Sequence, residues 1–248
     1  DVNCSFENVI IRHNKFKTNH DQSRAVNLFL YNEIIDGLWV EDNTLIGPSR
    51  IGIWVGRNQT ASVTGIEKRK NIFVRNNIFE RSDDVGIGLG GATLTLISVM
   101  CCADATVTGN KAIIGRHNSF GTIGWFVGVY NVKNLISDDN ELDLGLATNV
   151  NNVRHTYVDQ TKLTDATINS TNTITKNRAP LSSQPAVKWV EVVGHGNSEG
   201  TVSDNFWAVD ATSSNEDVPS SWRIEASFGV SLQRPVIGKT VLNICEEF

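Results

Sequence analysis

The sequence predicts an all-β fold, a single-stranded parallel β-helix, or solenoid, of about seven coils with projecting loops. One observation is a short phrase, an alternating strand that ends in asparagine and then resumes, which recurs about every thirty residues. The other is that no stretch shows the sustained apolar spacing of three and four that an amphipathic helix needs. The asparagines that mark the phrase are Asn14, Asn43, Asn77, Asn110, Asn140, Asn177 and Asn205.

The phrase has the period of a strand with one buried face. In the copies at 8–16, 37–45 and 71–79, the residues three and five before the asparagine and two after it are apolar. Asparagine tolerates a left-handed backbone while its amide bonds locally, so we expect it to take that conformation at a corner between strands. Amides stacked at one corner can then bond along the column.

A second strand follows the phrase in most repeats. The segments are 25–31, 50–56, 84–90, 126–130, 186–193 and 222–230. The connections are too short for crossover helices, so a parallel sheet requires strands that coil around a common axis. A β-sandwich is the competing interpretation, but it does not require the same residue at the same place in every repeat.

The composition indicates one extended domain over residues 1–248. The formal net charge of −5 argues against a nucleic-acid partner. The sequence contains no apolar run of about eighteen residues, so we predict no membrane insertion. The chain begins almost inside a coil, so we expect a fragment or processed product, with residues 234–248 as a terminal strand or cap.

We expect no cofactor. The cysteines lack metal-ligand spacing and are expected to be buried thiols: Cys4, Cys101, Cys102 and Cys245.

The outward-facing positions of successive coils should form columns about 4.8 Å apart. Counting back from the asparagines places Trp39 beside Phe73, as a stacking platform. The charged residues predicted around this platform are His13, Glu41, Asp42 and Arg75. An aromatic ring with charged neighbours suits the apolar face and hydroxyls of a pyranose, and it equally suits a protein interface.

Glycines recur at outward positions of the second strand. Gly52 lies beside Trp54, and the later members of this predicted column are Gly86, Gly88 and Gly128. A column of glycines leaves a shallow trough, so we expect a ligand, a loop or a neighbouring subunit to lie close to the backbone there.

Acidic pairs are the candidates for chemistry. Asp83 and Asp84, with Glu80 close by, stand at the corner before the glycine-rich segment, and Glu41 with Asp42 stands on the coil below. Glycoside hydrolysis uses two carboxyl groups, and adjacent carboxylates raise one pKa. Turns also favour aspartate, and we interpret 138–139 as a turn in a repeat whose alternation slips by one residue.

Metal-assisted β-elimination is an alternative chemistry. Clustered aspartates would hold Ca²⁺, and Arg75 or Arg81 would abstract a proton. No ligand spacing in the sequence requires a metal, and we predict none.

The repeats resemble the right-handed parallel β-helix of the pectate-lyase-like superfamily, which includes pectate lyases, polygalacturonases and bacteriophage tailspike depolymerases. Polygalacturonases carry the motifs NTD, DD, GHG and RIK, and this chain has SDDVGIGL at 82–89, GHG at 194–196 and RIE at 223–225. The resemblance makes Asp83 and Asp84 comparable to the DD pair. The GHG motif lies about 110 residues further on and no NTD precedes the pair, so His195 is expected in a surface turn.

The tailspike branch is the most similar, because long insertions interrupt irregular coils. The resemblance implies a homotrimer in a virion tail or extracellular setting that binds a bacterial polysaccharide, capsule or O-antigen. It would cleave the glycan by hydrolysis with Asp83 and Asp84, while Trp39, Phe73 and Trp54 position the sugar. The alternatives are a non-catalytic shaft or receptor-binding module, and a polysaccharide lyase.

Overall fold

The computed structural model of the chain confirms the predicted all-β parallel β-helix. It describes residues 5–17, 26–47, 51–57, 65–81, 94–113, 123–143, 154–161, 163, 170–179, 188–193, 198–203, 206–209, 216–217, 222–225 and 228–231. Three sheets run along the solenoid, and every strand pair in them is parallel. Each coil contributes one strand to each sheet, so the chain passes from sheet A to sheet B to sheet C and then begins the next coil.

The strand that precedes the asparagine belongs to sheet A, and the short strand that follows it belongs to sheet B. Sheet A contains β1 (Ser5–Arg12), β4 (Ile34–Glu41), β7 (Arg69–Arg75), β10 (Asp104–Thr108), β13 (Asn134–Asp138), β16 (Ser170–Thr175), β19 (Ser198–Ser203) and β22 (Trp222–Glu225). Sheet B contains β2 (Lys15–Lys17), β5 (Thr44–Gly47), β8 (Ile78–Arg81), β11 (Lys111–Ile113), β14 (Glu141–Asp143), β17 (Arg178–Ala179), β20 (Phe206–Val209) and β23 (Phe228–Ser231).

Sheet C completes each coil. It contains β3 (Val26–Tyr31), β6 (Ile51–Gly56), β9 (Leu94–Met100), β12 (Ile123–Tyr130), β15 (Arg154–Asp159), β18 (Lys188–Val193) and β21 (Glu216–Asp217). A single 3₁₀ turn, Ile66–Lys68, interrupts the β structure of the described residues. Sheets A and B each have eight strands there, one more than the seven coils predicted.

The predicted second strand at 222–230 was wrong, because this range contains β22 of sheet A and β23 of sheet B. The glycine-rich segment 84–90 lies outside the described residues, and the strand that pairs with β6 in sheet C is β9, ten residues further along the chain at its start. Ile53 faces Ile97 in this pair, so both place an apolar side chain inside the coil. The β9 segment has stronger β propensity than the glycine run, because it is rich in branched residues.

Stacked asparagines form a hydrogen-bonded ladder at the corner between sheets A and B, as predicted. Each ladder amide oxygen accepts the backbone N–H and the side-chain Nδ2 of the asparagine one coil before it, at 2.9 to 3.2 Å. The Nδ2 group also donates to a backbone carbonyl of that preceding coil, as from Asn77 to Val40 at 2.8 Å. Asn43, Asn77, Asn110, Asn140 and Asn177 are fully buried. The ladder therefore satisfies buried polar groups of the corner coil after coil.

The left-handed residue is the one before the asparagine, which corrects the prediction that asparagine itself takes this conformation. His13, Asp42, Asn76, Gly109, Asp139 and Lys176 have φ between 50° and 65°. The ladder amide must point inward to reach its partners, so its neighbour makes the turn instead. The repeat around residue 139 does not slip, because Leu135 and Ser137 both lie on the inner face of β13.

A buried arginine connects three coils at the corner between sheets C and A. The Arg69 side chain is fully buried; its Nε donates to the backbone carbonyl of Cys101 and its Nη1 to that of Glu33 at 3.0 Å. Burial lowers the pKa of Arg69, and the two carbonyls compensate part of the lost hydration. Cys101 and Cys102 are buried thiols that form no disulfide, as expected; Cys4 and Cys245 lie outside the described residues.

His155 is a buried base within the core. Its ring packs edge-on against Phe126 at 5.2 Å, Nε2 lies 3.2 Å from the carbonyl of Asn140, and Nδ1 lies 3.0 Å from Oγ1 of Thr156. A carbonyl can only accept, so Nε2 carries the proton and Nδ1 accepts from the hydroxyl. Burial lowers the pKa of His155 from 6.5 to about 4.

We predict that Asn77→Ala lowers the free energy of unfolding by about 3 kcal/mol or more, because it leaves several buried donors and acceptors without partners. Asn14→Ala is the control, since Asn14 is exposed at the end of the ladder and should cost no more than about 1 kcal/mol. Urea unfolding of both variants measures the difference. Equal losses would contradict a buried, cooperative ladder.

We predict that stability falls as the pH is lowered from 6.5 towards 4, the two pKa values of His155 in the unfolded and folded states. As the pH falls, His155 takes up its proton in the unfolded chain before it does so in the folded protein. Its contribution to the free energy of unfolding, on the order of 3 kcal/mol, is therefore complete above pH 6.5 and lost near pH 4. His155→Phe, which keeps a ring against Phe126, should remove this part of the pH dependence. Urea unfolding at several pH values tests it, and an unchanged slope in the variant would refute it.

Candidate functional site

The outer face of sheet A carries the aromatic pair that the sequence predicted. The register aligns Ile10 with Trp39 and Trp39 with Phe73 on successive coils. The rings of Trp39 and Phe73 are stacked, with centroids 5.5 Å apart and planes 15° from parallel. Both side chains are half-buried, so part of this aromatic surface faces solvent. We call this pair with Glu41 and Arg75 the sheet A cluster.

Arg75 and Glu41 lie directly beside the aromatic pair. Both occupy the next outward column, where Glu41 of β4 aligns with Arg75 of β7. The guanidinium carbon of Arg75 lies 4.2 Å from the ring centroid of Phe73, a cation–π contact. Nη1 of Arg75 lies 3.8 Å from Oε1 of Glu41, which is an ion pair but too long for a hydrogen bond.

His13 and Asp42 continue the cluster at the corner. Both have left-handed backbones, with φ of 58° and 53°, and they follow Arg12 and Glu41 directly. Nδ1 of His13 lies 3.9 Å from Oδ2 of Asp42, and both side chains are exposed. The structure therefore brings six predicted site residues to one continuous surface: His13, Trp39, Glu41, Asp42, Phe73 and Arg75.

A glycine two residues before an aromatic residue shapes this surface. A Cβ on Gly37 would lie 2.8 Å from ring atoms of Trp39, and Gly37 has φ of 86°. The same spacing recurs on sheet C, where the missing Cβ of Gly52 would lie 2.9 Å from Nε1 of Trp54. In each case the ring folds back over the glycine of its own strand.

At its two described members, Gly52 and Gly128, the predicted glycine trough was wrong. On sheet C the position between Trp54 and Gly128 is Ser98, while 86 and 88 lie outside the described residues. Gly128 is also covered, because a Cβ there would lie 3.0 Å from Cγ2 of Thr95 on β9 and 3.3 Å from a ring carbon of Tyr130. Side chains of the chain itself therefore lie close to the backbone at both glycines.

Trp54 does not join the sheet A cluster. It belongs to sheet C, where its ring meets Phe29 edge-on at 5.1 Å and its Nε1 donates to the carbonyl of Thr95 at 3.1 Å. Trp39, Phe73 and Trp54 therefore do not share one face of the solenoid, which corrects the expectation that the three act on one sugar.

A second aromatic group on sheet C was missed. Trp125 and Tyr157 have ring centroids 4.7 Å apart, and Tyr130 lies 5.8 Å from Tyr157. Tyr157 lies on β15, which was not among the predicted second strands, and it aligns with Gly128 in an outward column. The sequence interpretation followed glycine along this column and not the aromatic residues.

The candidate acids are distributed over two surfaces. Glu41 and Asp42 lie beside the aromatic pair, whereas Glu80 lies on sheet B, in a column with Ile46 and Ile113. Asp83, Asp84 and His195 lie outside the described residues, as does the side chain of Arg81. Within the described ranges no three His, Cys, Asp or Glu side chains could hold a metal ion. No described helix has the length and apolarity to cross a membrane.

Comparisons with known proteins do not extend these observations. No protein-family model, curated protein or solved structure matches the chain. The parallel β-solenoid is thus the level at which the structure supports the resemblance, and the superfamily and the tailspike branch stay predictions.

We predict that Gly52→Ala destabilises the protein by about 1–3 kcal/mol, because the new methyl group overlaps the indole of Trp54 and breaks its bond to Thr95. The same substitution in a Trp54→Leu background should cost less, since that overlap is gone. Thermal unfolding of the four proteins in this cycle gives the coupling between the two residues. A coupling of zero would mean that the indole does not depend on the glycine.

Proposed function

We propose that this β-helix binds a bacterial surface polysaccharide, a capsule or O-antigen, at the sheet A cluster and cleaves it by glycosidic hydrolysis. The observation that supports binding is the stacked, half-exposed pair Trp39 and Phe73 with charged groups directly beside it. A tailspike setting, with β-helices of a homotrimer side by side in a virion tail or outside the cell, is part of this proposal.

Binding follows from the complementary chemistry of a sugar and this surface. The C–H face of a pyranose packs on an indole, while its hydroxyls donate to Glu41 or Asp42 and accept from Arg75. The ring of Trp39 is held over Gly37 and against Phe73, so little side-chain freedom is lost when a ligand binds.

Hydrolysis requires a second feature, a pair of carboxyl groups at the scissile bond. Support for Asp83 and Asp84 in this role comes from the sequence, where they resemble the DD pair of polygalacturonases. Glu41 and Asp42 are the carboxylates of the described residues that lie beside the aromatic pair, and Glu80 lies on the adjoining sheet. Polysaccharide lyase chemistry, with Arg75 or Arg81 as base, is the alternative reaction.

A non-catalytic interface is the second candidate function. Ile10 and Ile136 are 54% and 48% exposed in the same outward column as Trp39 and Phe73. Aliphatic side chains make poor sugar contacts, and a strip of this composition is typical of an interface between subunits in a shaft. Light scattering of the purified protein, and of Ile136→Asp, tests this role; a monomer in both would exclude it.

We predict that Trp39→Ala lowers affinity for the bound polysaccharide by about tenfold or more, because a stacking contact of roughly 1.5 kcal/mol is removed. Trp54→Ala is the matched control, since Trp54 lies on sheet C. The affinity of this variant for the polysaccharide should stay unchanged. Calorimetry against a panel of capsule and O-antigen polysaccharides measures both. Equal effects of the two substitutions would remove sheet A from the proposal.

We predict that the protein releases reducing ends from a polysaccharide that it binds, without the ultraviolet absorbance of an unsaturated lyase product. Asp83→Asn and Asp84→Asn should each lower this rate by at least about a hundredfold while binding persists. Binding with no new reducing ends would leave the non-catalytic module. Full activity of both variants would exclude these aspartates from catalysis.

A further inference from the structure

We infer that Arg75 recognises an anionic substituent, a carboxylate or a sulfate ester, on the sugar unit that lies against Trp39. This inference rests on the proposed polysaccharide binding and adds the class of glycan, an acidic one, and the residue that selects it.

Arg75 is positioned before any ligand arrives. Its guanidinium lies 4.2 Å from the centroid of Phe73, whose own ring is stacked on Trp39. The planar group therefore has one face covered by an aromatic ring, and its edge carries the N–H donors. About a third of the side chain, 36%, is exposed to solvent.

The donors of Arg75 are incompletely used. Glu41, its ion-pair partner, stays at 3.8 Å, and the buried Nε has no hydrogen-bond partner in the described part of the chain. Other surface pairs close to hydrogen-bond distance: Arg57 with Glu33 at 2.7 Å and Lys133 with Glu67 at 2.8 Å. Arg75 and Glu41 stay further apart, as do His13 and Asp42 at 3.9 Å, and both open pairs belong to the surface around the aromatic rings.

Along this column Arg75 has a carboxylate as its direct neighbour on one side only, and the next carboxylate on the other side, Asp138, lies beyond Thr108. The register places Arg12, Glu41, Arg75 and Thr108 in sequence on four coils. One carboxylate thus lies between two guanidinium-bearing residues, and the next outward side chain beyond Arg75 is a neutral hydroxyl. An anion at Arg75 is therefore flanked by Glu41 on one side only, and the hydroxyl of Thr108 is the nearest neutral donor in the column.

An acidic sugar satisfies both halves of the cluster together. Its ring packs on Trp39, and its anionic group accepts charge-assisted hydrogen bonds from Arg75, which are about twice as strong as neutral ones. Loss of such a bond lowers affinity by about ten- to a hundredfold. Glu41 repels the same group, so the effect of removing its charge has the opposite sign.

The test uses each polysaccharide of the panel in three forms: native, carboxyl-reduced and desulfated. For a glycan whose binding requires Trp39, we expect one of the two treatments to lower affinity about ten- to a hundredfold, and the treatment that does so identifies the anion. Arg75→Gln should lower the affinity for the native glycan as much as the treatment does, and it should not lower the affinity for the treated glycan further. Arg75→Lys should restore only part of the affinity, because lysine lacks the planar fork.

Two matched variants complete the experiment. Glu41→Gln removes the negative charge beside the anion, so it should raise the affinity for the native glycan relative to the affinity for the treated glycan. Lys70→Gln removes a positive charge from the same strand, where Lys70 pairs with Asp36 at 3.2 Å, and should change neither affinity.

The outcomes separate this inference from the proposed function. Treatments that leave affinity unchanged while Trp39→Ala abolishes binding would overturn the role of Arg75 and keep polysaccharide binding. An equal loss in Lys70→Gln and Arg75→Gln would reduce the effect to general charge and also overturn it. No binding by any polysaccharide would overturn both.

Discussion

The asparagine ladder is the constraint on which the rest of the structure depends. Each buried amide forms hydrogen bonds with the backbone and with the asparagine amide of the preceding coil, as Asn77 does with Asn43 and Val40. A slip of one residue would leave these groups buried without partners and would exchange the inner and outer faces of the strand. The ladder therefore sets the coil-to-coil register, whatever the length of the loops between coils.

The site is a consequence of that register. Trp39 and Phe73 are 34 residues apart in the chain, yet each lies four residues before a ladder asparagine, so they become direct neighbours. Glu41 and Arg75 meet for the same reason. Gly37 adds the local shape, because it removes the Cβ that would block the indole of Trp39. A rigid sheet thus presents an aromatic pair and an open ion pair at fixed positions, as a binding surface requires.

The predictions succeeded where one residue's place in the repeat was enough. Counting from the asparagines located the columns that contain Trp39 and Arg75. They failed at 222–230, which was interpreted as one second strand but contains β22 of sheet A and β23 of sheet B. The left-handed turn was assigned to asparagine because this residue tolerates a left-handed backbone. In the structure the asparagine amide points into the coil to make its hydrogen bonds, and the residue before it makes the turn.

By itself, the sequence determined the repeat, the inner and outer faces of sheet A and the neighbours along each column, because these follow from a local period of two and a recurring asparagine. Tertiary structure alone decided that Trp54 does not share a face with Trp39 and Phe73, that rings cover Gly37 and Gly52, and that Arg75 stays 3.8 Å from Glu41. It also decided that Arg69 and His155 are buried. These features depend on contacts between residues of different coils, far apart in the chain, and no local pattern encodes such contacts.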